Sequence, residues 1–124
     1  MDLVKNMTKE ITKEIGNKSR EFYEFVLPPV DMILENDSLI LIIDLPGFEK
    51  KDIKLAIHKN ILSINAQKPE SKSDGTIYRQ RPNIIDKKIL LPVPIKEDAI
   101  ISAKFSQGIL TVKIPYSKKE IPID

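Results

Sequence analysis

Ala103-Lys-Phe-Ser-Gln-Gly-Ile-Leu110 alternates small or apolar residues with polar ones on both sides of Gln107-Gly108. Alternation with a period of two belongs to a half-buried strand. A glycine between two such runs belongs to a hairpin turn. Ala103 and Phe105 are therefore expected on one face, and Leu110 and Val112 return to the core. Ala103 is expected to be buried there beside Phe105.

The same period runs outward from this hairpin. Val30–Leu34, Ser38–Leu45, Ile53–Ile57, Ile61–Ala66, Ile84–Leu91, Ile100–Phe105 and Ile109–Ile114 are short and rich in β-branched residues. Turn signals separate them: Asn36-Asp37, Pro46-Gly47, Lys59-Asn60, Ser73-Asp74-Gly75, Pro92 with Pro94, and Gln107-Gly108. Pro46-Gly47 fits a type II turn, in which glycine supplies the positive φ. Seven or eight short strands at this density predict an all-β, immunoglobulin-like sandwich. Residues 67–83 are the least apolar part of this zone and read as a long loop carrying one short strand near Ile77–Arg79.

Before the strands the period is different. Val4, Met7, Ile11 and Ile15, then Phe22, Phe25 and Val26, follow helical spacings of three and four. Gly16-Asn17 ends or bends that helix, and Pro28-Pro29 stops it. The chain thus divides into an N-terminal amphipathic helical segment at 1–28, a sandwich at 29–116 and an extension at 117–124. Packing on its own sandwich, lying on a membrane, and associating between subunits are three uses for the apolar helix face. Its balanced charge gains little from anionic lipid.

In the extension, Ile121 and Ile123 are two apart, so an extended backbone puts both on one side. Pro122 between them favours that backbone and excludes a helix. The segment reads as a plug for a hydrophobic groove, docked as an added edge strand. On these residues alone, a frayed tail with two incidental isoleucines is the alternative.

Composition removes several function classes. The chain has 124 residues, no cysteine, one histidine and four glycines. Disulfides, thiolate chemistry and a phosphate-cradling glycine loop are not expected. His58 beside the Lys59-Asn60 turn has no second histidine to share a zinc ion with. The serines lack an elbow motif and a matched base, so no enzyme and no cofactor are expected. Net charge is +2, with five charges of each sign over residues 1–29 and two of each in the tail. No basic stripe marks a nucleic-acid partner. The longest apolar run, Leu39–Ile43, is too short to span a membrane. With no signal-peptide pattern at the start, the cytoplasm is the expected compartment.

One series of motifs is specific in combination. Pro-Val-Asp (29–31) is followed by Asp-Leu-Pro-Gly-Phe (44–48), Asp-Ile-Lys-Leu (52–55), Leu-Ser-Ile (62–64) and Leu-Pro (91–92). Ala-x-x-x-Gln-Gly-Ile-Leu (103–110) and Ile-Pro-Ile (121–123) complete it. This series resembles the small heat shock proteins, the α-crystallin-domain chaperones, and looks like a short archaeal-type member. The departures are Ile85, Lys87 and Ile89, where the family usually has Phe-x-Arg-x-Phe, and Ala66, where glycine is common. Lys87 keeps the charge of that arginine without its bidentate fork.

The resemblance implies an ATP-independent holdase that binds partly unfolded proteins under heat stress, assembled as a homo-oligomer of dimers. It implies a dimer made by exchanging Thr76, Ile77, Tyr78 and Arg79. It implies a latch of Ile121, Pro122 and Ile123 that fills a groove between Ile53, Leu55 and Ile57 on one strand and Ile100 and Ser102 on another. It favours Val4, Met7, Ile11, Ile15, Phe22 and Phe25 as an assembly or client surface. A reading from another class is a monomeric co-chaperone-like adaptor with the same sandwich. It would run near 14 kDa on a sizing column, and it needs neither the Ile-Pro-Ile tail nor a strand-bearing loop.

Overall fold

The computed structural model describes residues 27–70, 73–116 and 121–124. The helix expected over 1–28 lies outside the described residues, apart from its end at Leu27 and Pro28. Within them are seven strands: β1 (Val30–Glu35), β2 (Ser38–Asp44), β3 (Ile53–His58), β4 (Ile61–Gln67), β5 (Ile84–Leu90), β6 (Ser102–Ser106) and β7 (Ile109–Pro115). A single 3-10 turn at Lys50–Asp52 leads into β3. Strand order is β1-β2-β7-β6 in one sheet and β3-β4-β5 in the other, with every pairing antiparallel.

Three two-residue hairpins set the registers. Glu35 pairs with Ser38, His58 with Ile61, and Ser106 with Ile109. Both residues between the first pair, Asn36 and Asp37, have positive φ, as do Gln107 and Gly108 between the third. That is the type I′ pattern, whose twist matches the flanking strands. Lys59 also sits at positive φ. The Pro46-Gly47 turn follows expectation: Gly47 has φ 84°, and the Phe48 N–H donates to the Leu45 carbonyl.

Period two then decides what is buried. Leu39, Leu41 and Ile43 of β2 face inward with Leu110, Val112 and Ile114 of β7. Leu62, Ile64 and Ala66 of β4, with Ile85 and Ile89 of β5, meet them from the other sheet. Burying such a side chain contributes about 1.5–3 kcal/mol. Lys87 stands between Ile85 and Ile89, half-buried and in register with Ile64.

Two expectations need correction at β6. The strand begins at Ser102, two residues later than its apolar run suggests. Continued further, the β6–β7 register would bring Ile100 opposite Pro115. Proline has no N–H to give a ladder. Secondly, Ala103 is exposed, not buried. It does share the inward face with Phe105, since it pairs with Val112. But β6 is an edge strand, so a small side chain on it has a neighbouring strand on one side only. The 77–79 segment forms no strand with the described residues of its own chain.

Candidate functional site

The fold leaves two kinds of unfinished surface. The first is the edge shared by β3 and β6. At the opposite side of the sandwich, one pocket is lined both by Leu27–Pro29, leading into β1, and by Arg81, Pro82 and Ile85, leading into β5. The β1 and β5 edges therefore stack, and strand order leaves β3 and β6 stacked at the other side. On β3, Ile53, Leu55 and Ile57 are half-buried and alternate with exposed Lys54, Ala56 and His58. All three isoleucine or leucine side chains pack on the core from its margin, as does Phe105.

The β6 wall differs from the sequence expectation. Its inward residues are Ala103 and Phe105, and alternation adds Ile101. Ser102 pairs with exposed Lys113 and so lies on the outer face. Ile100 stands beyond the strand end, 86% exposed. Pairing with β7, not the point where β6 begins, sets which residues face the groove. Apolar walls on two stacked edges, with unpaired backbone on each, can take an extended peptide carrying apolar residues two apart. Ile121 and Ile123 are 81% and 96% exposed.

The second surface is the free edge of β1. Its residues Met32, Ile33 and Leu34 are all exposed. An edge strand with this much apolar surface and neither Lys nor Pro is a ready template for another strand. Elsewhere on the chain, Ile77 and Tyr78 are exposed in a loop. Glu70 ties the base of that loop: its Oε1 accepts from Asn83 Nδ2 at 3.0 Å and lies 3.3 Å from Arg79 Nη1. Thr76 donates its N–H to the Ser73 carbonyl, turning the loop at its start. Val4, Met7, Ile11, Ile15, Phe22 and Phe25 lie outside the described residues.

Neither surface has the chemistry of a reaction centre. Among the described residues no three His, Cys, Asp or Glu side chains are grouped to hold a metal. No helix among them is long and apolar enough to cross a membrane.

Ala103→Asp follows from the corrected geometry. In a chain already lacking the tail isoleucines, the melting temperature is expected to move by no more than about 3 °C, as for a surface substitution. In the intact chain, a tail that docks between β3 and β6 is expected to be weakened by the same carboxylate, read as a smaller particle on a sizing column. A large loss of melting temperature in the tail-less background would return Ala103 to the core.

The family model described as Hsp20/alpha crystallin family matches residues 31–123. A point mutant of hsp14.1 from Sulfolobus solfatataricus P2 is 40% identical, with a TM-score of 0.79 over 94% of this chain and 97% of that one. The Del-C4 mutant of the same protein is 42% identical, with a TM-score of 0.75 over 78% and 81% of the two chains. Small heat shock protein C2 of Rickettsia felis is 35% identical over 81% of this chain and 71% of its own length. Against the longer small heat shock protein hspG12 of Dictyostelium discoideum, 32% identical, the match covers 59% of this chain and 37% of that protein.

Proposed function

The chain belongs to the Hsp20/alpha crystallin family, non-enzymatic proteins that are generally ATP-independent holdase chaperones, and from that premise we propose that it binds partly unfolded proteins during heat stress and keeps them from aggregating. The reading takes the cytoplasm as its compartment and needs no cofactor. A client losing its fold exposes apolar side chains and unpaired strand edges. The carrying observation is that this chain leaves apolar side chains exposed beside open backbone at β1, and lines the edge strand β3 with half-buried Ile53, Leu55 and Ile57. Such surfaces are complementary to what a failing protein exposes.

In storage these surfaces are occupied by copies of the same chain. Thr76-Ile77-Tyr78-Arg79 leaves its own subunit and adds to a neighbour's β1 edge, giving a dimer. Ile121, Pro122 and Ile123 dock between Ile53, Leu55, Ile57 and the Ala103–Phe105 side of β6 on a chain of another dimer. The apolar face of the N-terminal segment, Val4 to Phe25, holds the larger assembly together and meets clients.

The test is light scattering of a heated model client with no nucleotide present. The intact chain is expected to suppress the scattering. A chain lacking residues 1–27 is expected to remain a soluble dimer and to suppress it poorly. Full suppression and full particle size after that truncation would remove the N-terminal face from the mechanism. No suppression by the intact chain would remove the holdase reading itself.

A further inference from the structure

The pocket where the β1 and β5 edges stack is used by neither surface above. It holds about 250 Å³, whereas a protein cavity of about 150 Å³ already accepts a benzene ring. Leu27, Pro28, Leu45, Phe48, Pro82 and Ile85 supply its apolar walls. Two cations stand at its rim. A Cβ placed on Gly47 would lie 2.7 Å from Arg81 Nη2 and 2.9 Å from Lys68 Nζ, so both heads crowd over that glycine. Lys68 Nζ also lies 4.8 Å from the centre of the Phe48 ring.

Neither cation is in an ion pair among the described residues, although Asp44 lines the same pocket. Burial holds the Lys68 pKa below its ordinary value, and the charge of Arg81 lowers it further. Asp52 opposes that shift as the weakest of the three influences, and its carboxylate accepts the Glu49 N–H at 2.9 Å. An apolar hole with two like charges at its lip suits an occupant that carries a ring and a carboxylate side by side.

We propose that the occupant is the chain's own Glu24-Phe25, with the Phe25 ring in the pocket and the Glu24 carboxylate at Lys68 and Arg81. Leu27 is already part of the wall. Pro28 biases Leu27 toward an extended backbone, and Phe25 stands two residue steps before Leu27, a chain reach of about 7 Å. From Glu21 to Leu27 the sequence is Glu-Phe-Tyr-Glu-Phe-Val-Leu, acidic and aromatic with no cation. A tether of two residues gives this pair an effective concentration that a second copy does not match. The docking does not depend on the holdase reading. It withdraws Phe25 from the N-terminal face and leaves Val4, Met7, Ile11, Ile15 and Phe22 for assembly.

The chain has no cysteine, so a disulfide reports placement cleanly. Tyr23→Cys with Pro82→Cys in the full chain is expected to oxidise within one chain, read on a non-reducing gel. Adding Phe25→Ser is expected to slow that disulfide by at least about tenfold, the loss of one buried ring. Lys68→Glu with Arg81→Glu is expected to slow it about fivefold, and adding Glu24→Lys to that pair to restore it. A rate indifferent to Phe25→Ser, a charge reversal that Glu24→Lys does not rescue, or a disulfide between two chains overturns the assignment. Particle size and client protection, which test the holdase reading, are read separately and are not needed for this result.

Discussion

Ile121→Ser with Ile123→Ser is expected to convert the full assembly to dimers while each sandwich stays folded. Burying two isoleucines in the β3–β6 groove is worth roughly 3–6 kcal/mol before ordering costs. Ordering the tail removes much of that. One tail therefore binds weakly, with a Kd of about millimolar to high micromolar. Many tails in a closed shell would hold it firmly through effective concentration. The link is short. Five residue steps separate Tyr116 from Ile121, a reach of about 17 Å. Only a near neighbour would be engaged, and weak single links would let heating release tails and grooves together. Size-exclusion chromatography with light scattering reads the result, and circular dichroism shows that the sandwich persists. If the double variant elutes at full size, the tail is not the latch.

Deleting residues 75–81 is expected to take the protein one step further, to a folded monomer. The deletion removes Ile77 and Tyr78, both exposed, and touches none of the seven strands. Folding should survive, because all fourteen apolar side chains buried among the described residues lie outside it. The free β1 edge would then have no strand to pair with, so the monomer is expected to be prone to precipitate at high concentration. Sedimentation at low concentration is the measurement. A deletion variant that still dimerises with native affinity would move the dimer contact elsewhere.

Much of the sandwich was legible because most strands bury one face, and burial writes itself as alternation. The turns were legible because Asn36-Asp37, Pro46-Gly47 and Gln107-Gly108 are residue pairs that positive φ selects. Ile53, Leu55 and Ile57 pack against the core margin, as alternation along β3 implies. Ile100 and Ile101 extend the apolar run of β6 without joining the ladder, and pairing with exposed Lys113 puts Ser102 on the outer face. Ala103 shows a different limit. Its face follows from alternation, but its exposure follows from the place of β6 at the sheet edge, which no local pattern encodes. The crowding of Lys68 and Arg81 over Gly47 was not legible either, since a turn, a strand end and a loop end meet there only in three dimensions.

The hairpin joining β6 to β7 has a consequence for selectivity. The Leu45 N–H donates to the Gly108 carbonyl at 2.7 Å. A Cβ on Gly108 would press to within 3.3 Å of the Pro46 backbone. The tip of that hairpin is thus seated on the turn that ends β2, whose Leu39, Leu41 and Ile43 are fully buried. One wall of the groove is bolted to the centre of the molecule and cannot splay without disturbing it. Such a slot behaves as a gauge. It would be expected to accept side chains of one width and refuse bulkier ones, with the less supported β1 rim the more tolerant of the two. Discrimination and tolerance would then reside on opposite flanks of the same small protein, one suited to a fixed partner and the other to strangers.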